Sequence, residues 1–386
     1  MKLLHLFSNH KLTGPAEPAV RLAAELAKRG HQVLFAHKPL PAPAPGYIDS
    51  AAARYGLDTT TRFRLNKHFK PLAIWRDARD LARFIDEHQF DVVHCNLVND
   101  HLTAALAVRR CQRKPKVVRT NHAAVKMHHG MRERLLFPTR TDALIEVSDA
   151  ARDKDAAQFG MPAERVFVVD TAIELARFDP GRELPDLRAA WGVSPDDFVV
   201  GIAARIQKRR RFEVLLEAAA IACRRIPNFK LVIIGRGTLK QQVAVEPAQR
   251  RGLDDVVVFA NYLRGDQYVG GLRALDAKVF LVPGTDGSCR AAREAMAIGQ
   301  PVIAARRGML PELVDDGQTG FVVSDSPAEL ADAMLRLADD PGLRRRMGEA
   351  ARRTALERFD PARQAQHVEA VYRQIVGGRS GPADTT

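Results

Sequence analysis

The chain has 386 residues, enough for about two domains, and 46% of them are hydrophobic. Its formal net charge is +13, and an aromatic share of only 6% fits Ala-, Val- and Leu-rich α/β packing. No apolar run approaches the roughly 18 residues of a membrane span, and MKLLHLFSNHKLTG lacks the apolar run and cleavage site of a signal peptide. Four scattered cysteines form neither a metal spacing nor a disulfide framework, so we expect a reducing cytoplasm.

Strands and helices alternate from the N-terminus onward, beginning with the strand KLLHLFS, the helix EPAVRLAAELAKRG and the strand HQVLFAH. This series continues with strands at DVVHCN, KVVRTNH, ALIEVS and RVFVVD and a helix through HLTAALAVRRC. A second series holds the strands FVVGIAA, LVIIGRG, VVVFANYL, AKVFLVPG, PVIAA and GFVVS, with the helix RFEVLLEAAAIACRR after the first of them. Buried strands that alternate with helices are typical of parallel sheets covered on both faces.

The stretch 179–196 between the two series is rich in Pro, Asp and Gly, and we interpret it as a linker. The predicted fold class is therefore α/β, with two Rossmann-like doubly wound domains facing each other across a cleft. We expect the first domain over 1–178 and the second over 197–358. Ligands should bind at the carboxyl ends of the strands.

Positive charge is concentrated in the first domain. Residues 60–140 hold 17 Lys/Arg and 7 Asp/Glu, a surplus of ten. Such a surface fits anionic lipid headgroups, an anionic acceptor or nucleic acid, and an ordinary solvated basic surface explains it equally well. Eleven of the twelve histidines precede residue 130, but they form no recognisable metal set, so we expect no metal site.

The stretch GTDGSCRAAREAMAIGQPVIA, residues 284–304, carries two acids around a predicted helix. Asp286 precedes the helix and Glu294 lies inside it. Ser288 can cap the helix start, Gly299 can take the left-handed turn that ends it, and Pro301 cannot continue it. Two carboxylates in this arrangement suit a ligand with hydroxyl groups.

The start of this predicted helix also favours an anion, because its first amides lack helical partners. These amides belong to Gly287, Ser288 and Cys289. An alternative interpretation is a surface helix on which Arg290 pairs with Glu294 at i, i+4.

Further candidate residues follow predicted strands. Arg205 and Arg210 flank a strand–helix junction, where two guanidinium groups can clamp a diphosphate, although a solvated basic turn is the alternative. Gly235 permits close backbone approach, but a lone GxG is weak evidence. Gly14 lies between the first strand and the first helix. His122 follows KVVRT and fits a structural histidine as well as a site residue.

Taken in order, these segments resemble the retaining glycosyltransferases of the GT-B fold, family 4. The segments are GPAEPAVRLAAELAKRGHQV, ARIQKRRRFEVLLEA, LVIIGRG, VVVFANYL, GTDGSCRAAREAMAIGQPVIA and GMLPELVDDGQTGFVV. FDPARQAQHVEAVYRQI resembles the family's last helix, which implies a helix over 359–376 that crosses back to the first domain, followed by a flexible tail over 377–386.

The resemblance implies specific roles. Arg205 and Arg210 would hold the donor diphosphate, and Gly14 would line the phosphates from the first domain. Glu294 would bind the ribose hydroxyls, and Asp286 would contact hydroxyls of the transferred sugar.

His122 matches a histidine that faces the reacting sugar in related enzymes. The implied catalytic residues are Asp286, His122, Arg205 and Arg210, and the implied donor-binding residues are Gly14, Arg205, Arg210, Gly235, Gly287, Ser288, Cys289 and Glu294.

Four positions depart from the family pattern. Pro15, Arg211 and Cys289 stand where the family has glycine, and Thr171 stands where it has Asn. Each glycine replaced is a loss of backbone freedom. These departures indicate a divergent branch.

The resulting hypothesis is a metal-independent, retaining hexosyltransferase-type enzyme without a cofactor. It would move a sugar from a nucleotide diphosphate sugar to a hydroxyl of a glycan or lipid-linked acceptor in cell-envelope polysaccharide or lipopolysaccharide synthesis. We expect a cytoplasmic protein at the inner face of the plasma membrane, in peripheral contact with anionic lipid and not with nucleic acid. The alternatives are a sugar-nucleotide epimerase on the same fold and a non-catalytic protein that binds glycan or nucleic acid.

Overall fold

Two parallel sheets organise the chain. The computed structural model describes residues 1–12, 14–40, 46–122, 130–282 and 289–377. These residues divide into two units: the first holds 1–172 and 361–377, with the gaps given above, and the second holds 173–282 and 289–360. This is the predicted α/β class with two Rossmann-like units.

The first sheet has seven parallel strands in the order β3-β2-β1-β4-β5-β6-β7. Its strands are β1 (Lys2–Phe7), β2 (Gln32–His37), β3 (Thr59–Thr60), β4 (Val92–Cys95), β5 (Lys116–Thr120), β6 (Ala143–Glu146) and β7 (Val166–Val168). The helices between them are α1 (Ala16–Lys28), α2 (Ile48–Tyr55), α3 (Pro71–His88), α4 (Val98–Val108), α5 (Met131–Arg140) and α6 (Asp149–Phe159), and a 3₁₀ turn (Ala163–Arg165) precedes β7.

Strand β1 shows why both faces of this sheet are covered. Successive side chains of a strand point to opposite faces. Leu3 and Phe7 accordingly pack in the cluster that holds α1, whereas Leu4 and Leu6 pack in the cluster that holds α3 and α4. Because both faces are buried, the sequence of β1 is an apolar run with little alternation, as in the other buried parallel strands.

The second sheet has six parallel strands in the order β10-β9-β8-β11-β12-β13. They are β8 (Phe198–Ala203), β9 (Phe229–Ile234), β10 (Val257–Asn261), β11 (Ala277–Phe280), β12 (Val302–Ala305) and β13 (Gly320–Val323). The helices of this unit are α7 (Leu187–Ala190), α8 (Phe212–Ala222), α9 (Glu246–Gln249), α10 (Gly265–Arg273), α11 (Arg290–Ala297), α12 (Leu310–Leu313), α13 (Pro327–Asp339) and α14 (Pro341–Arg358). A 3₁₀ turn (Leu175–Phe178) opens the unit, another (Lys208–Arg210) precedes α8, and a π-helical turn (Gln241–Val245) precedes α9.

The last helix, α15 (Pro361–Gly377), belongs to the first unit. Ala365, Val368 and Tyr372 pack in the same cluster as β1 and α1. The Tyr372 hydroxyl is hydrogen-bonded to His94 Nδ1 on β4. Side-chain burial therefore fixes this helix on the first sheet.

The stretch 179–196 lies in the second unit and carries α7. Arg188 donates to the Ala274 carbonyl at 2.9 Å and to Asp276 Oδ2 at 2.7 Å. These bonds tie the stretch to residues that precede β11. The described helices include none with the length and apolar composition of a bilayer-spanning segment.

Each sheet has one point at which the strand order reverses. Strands β1 and β4 are neighbours in the first sheet, and β8 and β11 are neighbours in the second. The connections that leave two such strands run to opposite sides, so a crevice forms at their carboxyl ends. Ligand-binding side chains are therefore expected in the segments that follow these four strands.

Candidate functional site

Arg210 is fixed at the reversal point of the second sheet. It ends the 3₁₀ turn that follows β8, and its Nη1 donates to the Val282 carbonyl at 2.8 Å. Val282 follows β11, the neighbour of β8. Arg205, directly after β8, is exposed. The structure thus brings two predicted cations to the carboxyl edge of one strand, where Arg groups can bind phosphate oxygens bidentately.

Gly235 has a packing reason to be glycine. A Cβ at this position would lie 2.0 Å from the Ala204 carbonyl oxygen, and a Cβ at Gly237 would lie 1.9 Å from that of Ile206. The segment after β9 therefore runs against the segment after β8 with no room for a side chain. This contact positions the loop that follows β9 beside the two arginines.

Glu294 lies on α11 and is buried, with 5% of its surface exposed. The Tyr268 hydroxyl on α10 donates to Glu294 Oε2 at 2.6 Å, and Arg290 Nε lies 3.4 Å from Glu294 Oε1. Burial, and then the Glu294 carboxylate, raise the pKa of Tyr268 well above its usual value, so the phenol stays a neutral donor. The alternative i, i+4 ion pair is present, but α11 is a buried helix, which the surface-helix interpretation does not allow.

The ends of α11 only partly match the sequence prediction. Gly299 has the expected positive φ, 86°, after the helix. The helix begins at Arg290 with Cys289 at its N-cap. The predicted cap Ser288 lies outside the described residues, and so do Asp286 and Gly287. Arg293, also on α11, is buried, with its Cζ 4.3 Å from the centre of the Phe359 ring, so it has a packing role.

Two residues that stand in place of family glycines keep the left-handed conformation. Arg211 has φ 59° and ψ 39° at the N-cap of α8, and Cys289 has φ 48° and ψ 39° at the N-cap of α11. This conformation costs a non-glycine residue about 1–2 kcal/mol. Ion pairs hold the Arg211 side chain, at 2.6 Å to both Asp325 and Glu213. The strained backbone thus persists at both helix starts that face the candidate site.

Lys278 on β11 is a buried cation that the sequence prediction missed. It is fully buried, and its Nζ has no hydrogen-bond partner among the residues that the structure describes. Burial lowers the pKa of Lys278 to about 7, and the charge of Glu294 opposes this shift. The signal was available in the sequence, because a lysine interrupts the otherwise apolar strand AKVF.

The reversal point of the first sheet is organised by Asp100, near the start of α4. Its carboxylate accepts the backbone amides of Ser8 at 2.6 Å and Leu97 at 2.7 Å, which ties the end of β1 to the end of β4. Burial raises the pKa of Asp100 to about 6, against the hydrogen bond from the Ser8 side chain and the charge of Arg119. The sequence prediction did not include Asp100 or Arg119.

His122 lies at the carboxyl end of β5, as predicted. It is buried, and its Nε2 is 3.0 Å from the side-chain oxygen Oδ1 of Asn96, after β4. Burial and the charge of Arg119 lower the pKa of His122 to about 3, so the imidazole is neutral at physiological pH. Gly14, between β1 and α1, lies at the same edge of the first sheet. No cluster of metal-ligating side chains occurs in the described part of the chain.

Comparisons with known proteins cover both units. The family model of group 1 glycosyl transferases matches residues 185–354, and the model of glycosyltransferase family 4 matches residues 14–177. A D-inositol 3-phosphate glycosyltransferase of Streptomyces bingchenggensis is 33% identical over 247 residues, 61% of this chain and 54% of that protein. The chain spans about half the length of the curated relatives it matches.

Solved structures share the fold. A glycosyltransferase of Rickettsia africae aligns with a TM-score of 0.82 at 16% identity, over 98% of this chain and 99% of that one. HepE of Anabaena, solved in complex with UDP, aligns with a TM-score of 0.78 at 22% identity, over 97% of this chain and all of that one (100%).

The left-handed backbone at residue 211 predicts an unusual order of stabilities. Arg211→Gly should be more stable than Arg211→Ala by about 1 kcal/mol, because both remove the ion pairs and only Ala keeps the strain. At Arg209, inside the preceding 3₁₀ turn, the Gly variant should be no more stable than the Ala variant. Chemical denaturation of the four variants measures their free energies of unfolding. Equal stability of the two residue-211 variants would contradict a strained left-handed backbone at this position.

Lys278→Met should stabilise the protein at low pH, because it removes a buried charge. Below pH about 7 both folded and unfolded Lys278 bind a proton, so the cost of burial is complete. Between pH 7 and the ordinary lysine pKa only the unfolded state keeps the proton, so the parent gains about 1.4 kcal/mol per pH unit. The advantage of Lys278→Met should therefore shrink from pH 7 to pH 9.5 in denaturant titrations. An advantage that does not change with pH would contradict the shifted pKa.

Proposed function

Because this chain belongs to the group 1, family 4 glycosyltransferases of the GT-B fold, we propose that it transfers a sugar from a nucleotide diphosphate sugar to a hydroxyl of a glycan or lipid-linked acceptor, with retention at the anomeric carbon. The observation that carries the proposal is Arg210, held on the Val282 carbonyl where the second sheet reverses its strand order. Arg205 adds a second cation at the end of the same strand.

The chemistry follows from the charge that the reaction creates. The bond between the anomeric carbon and the diphosphate oxygen breaks, and the acceptor oxygen forms its bond on the same face of the sugar. The departing diphosphate accepts the acceptor's proton and keeps the remaining negative charge. Arg205 and Arg210 stabilise this charge as it develops, which lowers the barrier more than ground-state binding would. This clamp needs neither a metal ion nor another cofactor.

The other site residues would bind the rest of the donor. Glu294 would accept hydrogen bonds from the ribose hydroxyls, and Tyr268 and Arg290 hold its carboxylate in place. Asp286 would contact hydroxyls of the transferred sugar, and the amides of Gly287, Ser288 and Cys289 would bind phosphate oxygens. All five assignments rest on the sequence resemblance.

Groups of the first unit would contribute without carrying positive charge. His122 is neutral and fixed by Asn96, so it would act as a hydrogen-bonding group toward the reacting sugar. Gly14 would let the backbone approach the phosphates. In the second unit, Gly235 would likewise let the backbone of the loop after β9 approach the phosphates. HepE was also solved with UDP-glucose, which supports a nucleotide sugar as the donor.

The protein would bind its acceptor at a membrane surface. Phe69, Leu72 and Trp75 are 54%, 75% and 49% exposed, next to and within the first turns of α3. Exposed Lys70 and Arg76 flank them. Since α3 follows β3, this amphipathic patch lies at the carboxyl edge of the first sheet, the edge that also holds His122. We propose that it rests on the anionic cytoplasmic leaflet and presents lipid-linked acceptors for envelope polysaccharide or lipopolysaccharide synthesis.

Removing one arginine tests the clamp. Arg210→Ala should weaken binding of nucleoside diphosphates and slow transfer by at least 100-fold, about 2.7 kcal/mol, because a cation that stabilises the leaving group is lost. Arg210→Lys should keep partial activity. Calorimetry and steady-state kinetics, run in EDTA, measure both effects. Unchanged Arg210→Ala, or parent activity that EDTA abolishes and Mg²⁺ restores, would contradict the metal-free clamp.

Removing Glu294 and removing Asp286 should have different effects on binding and turnover. Glu294→Ala should weaken binding of nucleoside diphosphate and intact donor alike and raise KM, because the ribose is bound equally before and during reaction. Asp286→Ala should spare nucleoside diphosphate affinity and lower kcat. Tyr268→Phe is the matched control, since it removes one bond to Glu294 and keeps the ring. Loss of nucleotide affinity in Asp286→Ala alone would reverse the two assignments.

The membrane proposal predicts a lipid-dependent difference between two double variants. Leu72→Ser with Trp75→Ser should bind vesicles containing anionic lipid several-fold less than the parent, because the inserted apolar area is lost. Leu135→Ser with Leu356→Ser, which alters exposed leucines on α5 and α14, should bind like the parent. Co-sedimentation over a salt series measures this. Equal binding to neutral and anionic vesicles would count against the proposal.

A further inference from the structure

A pocket of about 380 Å³ opens at the amino edge of the first sheet. The starts of β5 and β6, the ends of α4 and α5 and the turn before β7 surround it. His122 and the other candidate residues of this unit lie at the opposite, carboxyl edge. The pocket is therefore separate from the proposed transfer site, and its size is that of a small-ligand site.

The lining is strongly basic. Five cations face one carboxylate in it: Arg109, Lys114, Lys116, Arg140 and Arg165 against Asp142. The single carboxylate is already engaged, because Asp142 Oδ1 pairs with Lys116 Nζ at 2.9 Å and Asp142 Oδ2 accepts the Val117 amide at 2.8 Å. The lining holds four further cations, and among the described residues three of them, Arg109, Arg140 and Arg165, pair with no carboxylate.

Two of these cations are held in place by neutral groups. Lys114 Nζ donates to the carbonyls of Val108 and Arg109, at 3.1 and 3.0 Å, where α4 ends. Arg165 Nη1 donates to the Thr141 carbonyl at 3.2 Å, after the end of α5. Carbonyls orient a cation without neutralising it. The negative ends of the two helix dipoles amount to about half a charge each, so they offset only part of the surplus.

The remaining two cations, Arg109 and Arg140, lie at the mouth of the pocket and are exposed. Within the described ranges, no carboxylate or carbonyl pairs with either guanidinium. A guanidinium group binds phosphate oxygens in a bidentate manner, and two of them beside fixed cations suit a group with several oxyanions.

We infer that this pocket binds a small phosphate-bearing ligand with two or more negative charges, either free in solution or as a phosphorylated lipid headgroup. Three of its five basic residues, Arg109, Lys114 and Lys116, belong to the segment RRCQRKPK, so part of the positive surplus of the first unit is organised into a concave site. The inference is independent of the transfer reaction, because none of these side chains belongs to the proposed donor site.

Hydrogen exchange of the full chain, followed by mass spectrometry, tests this site locally. The probes are inorganic pyrophosphate and, separately, vesicles with and without phosphatidic acid. One or both anionic probes should slow exchange at least threefold in peptides that cover residues 105–118 and 137–143. Protection by pyrophosphate identifies a soluble ligand, and protection by phosphatidic acid vesicles alone identifies a headgroup.

Matched double variants separate a site from diffuse charge. Arg109→Ala with Arg140→Ala should weaken pocket protection by the effective probe at least tenfold in concentration. Arg110→Ala with Arg134→Ala removes the same charge from exposed positions of the same region that do not line the pocket. This control should change the probe concentration needed for protection by less than twofold. No protection with any probe, or equal weakening in both double variants, would overturn the inference.

Discussion

The hydrogen bond from Arg210 to the Val282 carbonyl connects the segments that follow β8 and β11, the two strands between which the second sheet reverses its strand order. A reversal point opens a crevice at the carboxyl ends of its strands. Without a fixed partner, an arginine side chain loses about 2 kcal/mol of rotamer freedom whenever it clamps a ligand. The bond keeps the cation at the crevice before any ligand arrives. Close packing of Gly235 on Ala204 and the ordered α11 then place the other candidate groups around the same edge.

The second unit contains energetically unfavourable features near this crevice. Arg211 and Cys289 hold left-handed backbone at two helix starts, and Lys278 is buried without a hydrogen-bond partner in the described chain. Sequences that fold consistently tend to carry such costs at functional sites. The charge of Glu294 opposes the lowering of the Lys278 pKa, so these two groups of the second unit are electrostatically coupled. The strain and the buried charge therefore gather around the residues proposed to bind the donor.

Much of the fold follows from hydrophobic pattern alone. Runs such as FVVGIA and LVII are short, continuous apolar segments that are buried on both faces, and all the predicted strands are present. Strand β3 has two residues, Thr59 and Thr60, and carries no pattern to detect. The candidate site was harder to predict. Lys278 and Glu294 are sixteen positions apart, and Tyr268 reaches Glu294 from another helix, so only the packing of α10, α11 and β11 shows that they meet.

The central claim is that Arg205 and Arg210 clamp the donor diphosphate. A crystal structure of the chain bound to a nucleoside diphosphate, beginning with UDP, would test it most directly. The diphosphate should lie within hydrogen-bond distance of the Arg205 and Arg210 guanidinium groups, at the carboxyl ends of β8 and β11. The ribose hydroxyls should reach Glu294. A diphosphate bound away from that edge, or a Glu294 carboxylate that contacts only Tyr268 and Arg290 while the nucleotide is bound elsewhere, would contradict the account.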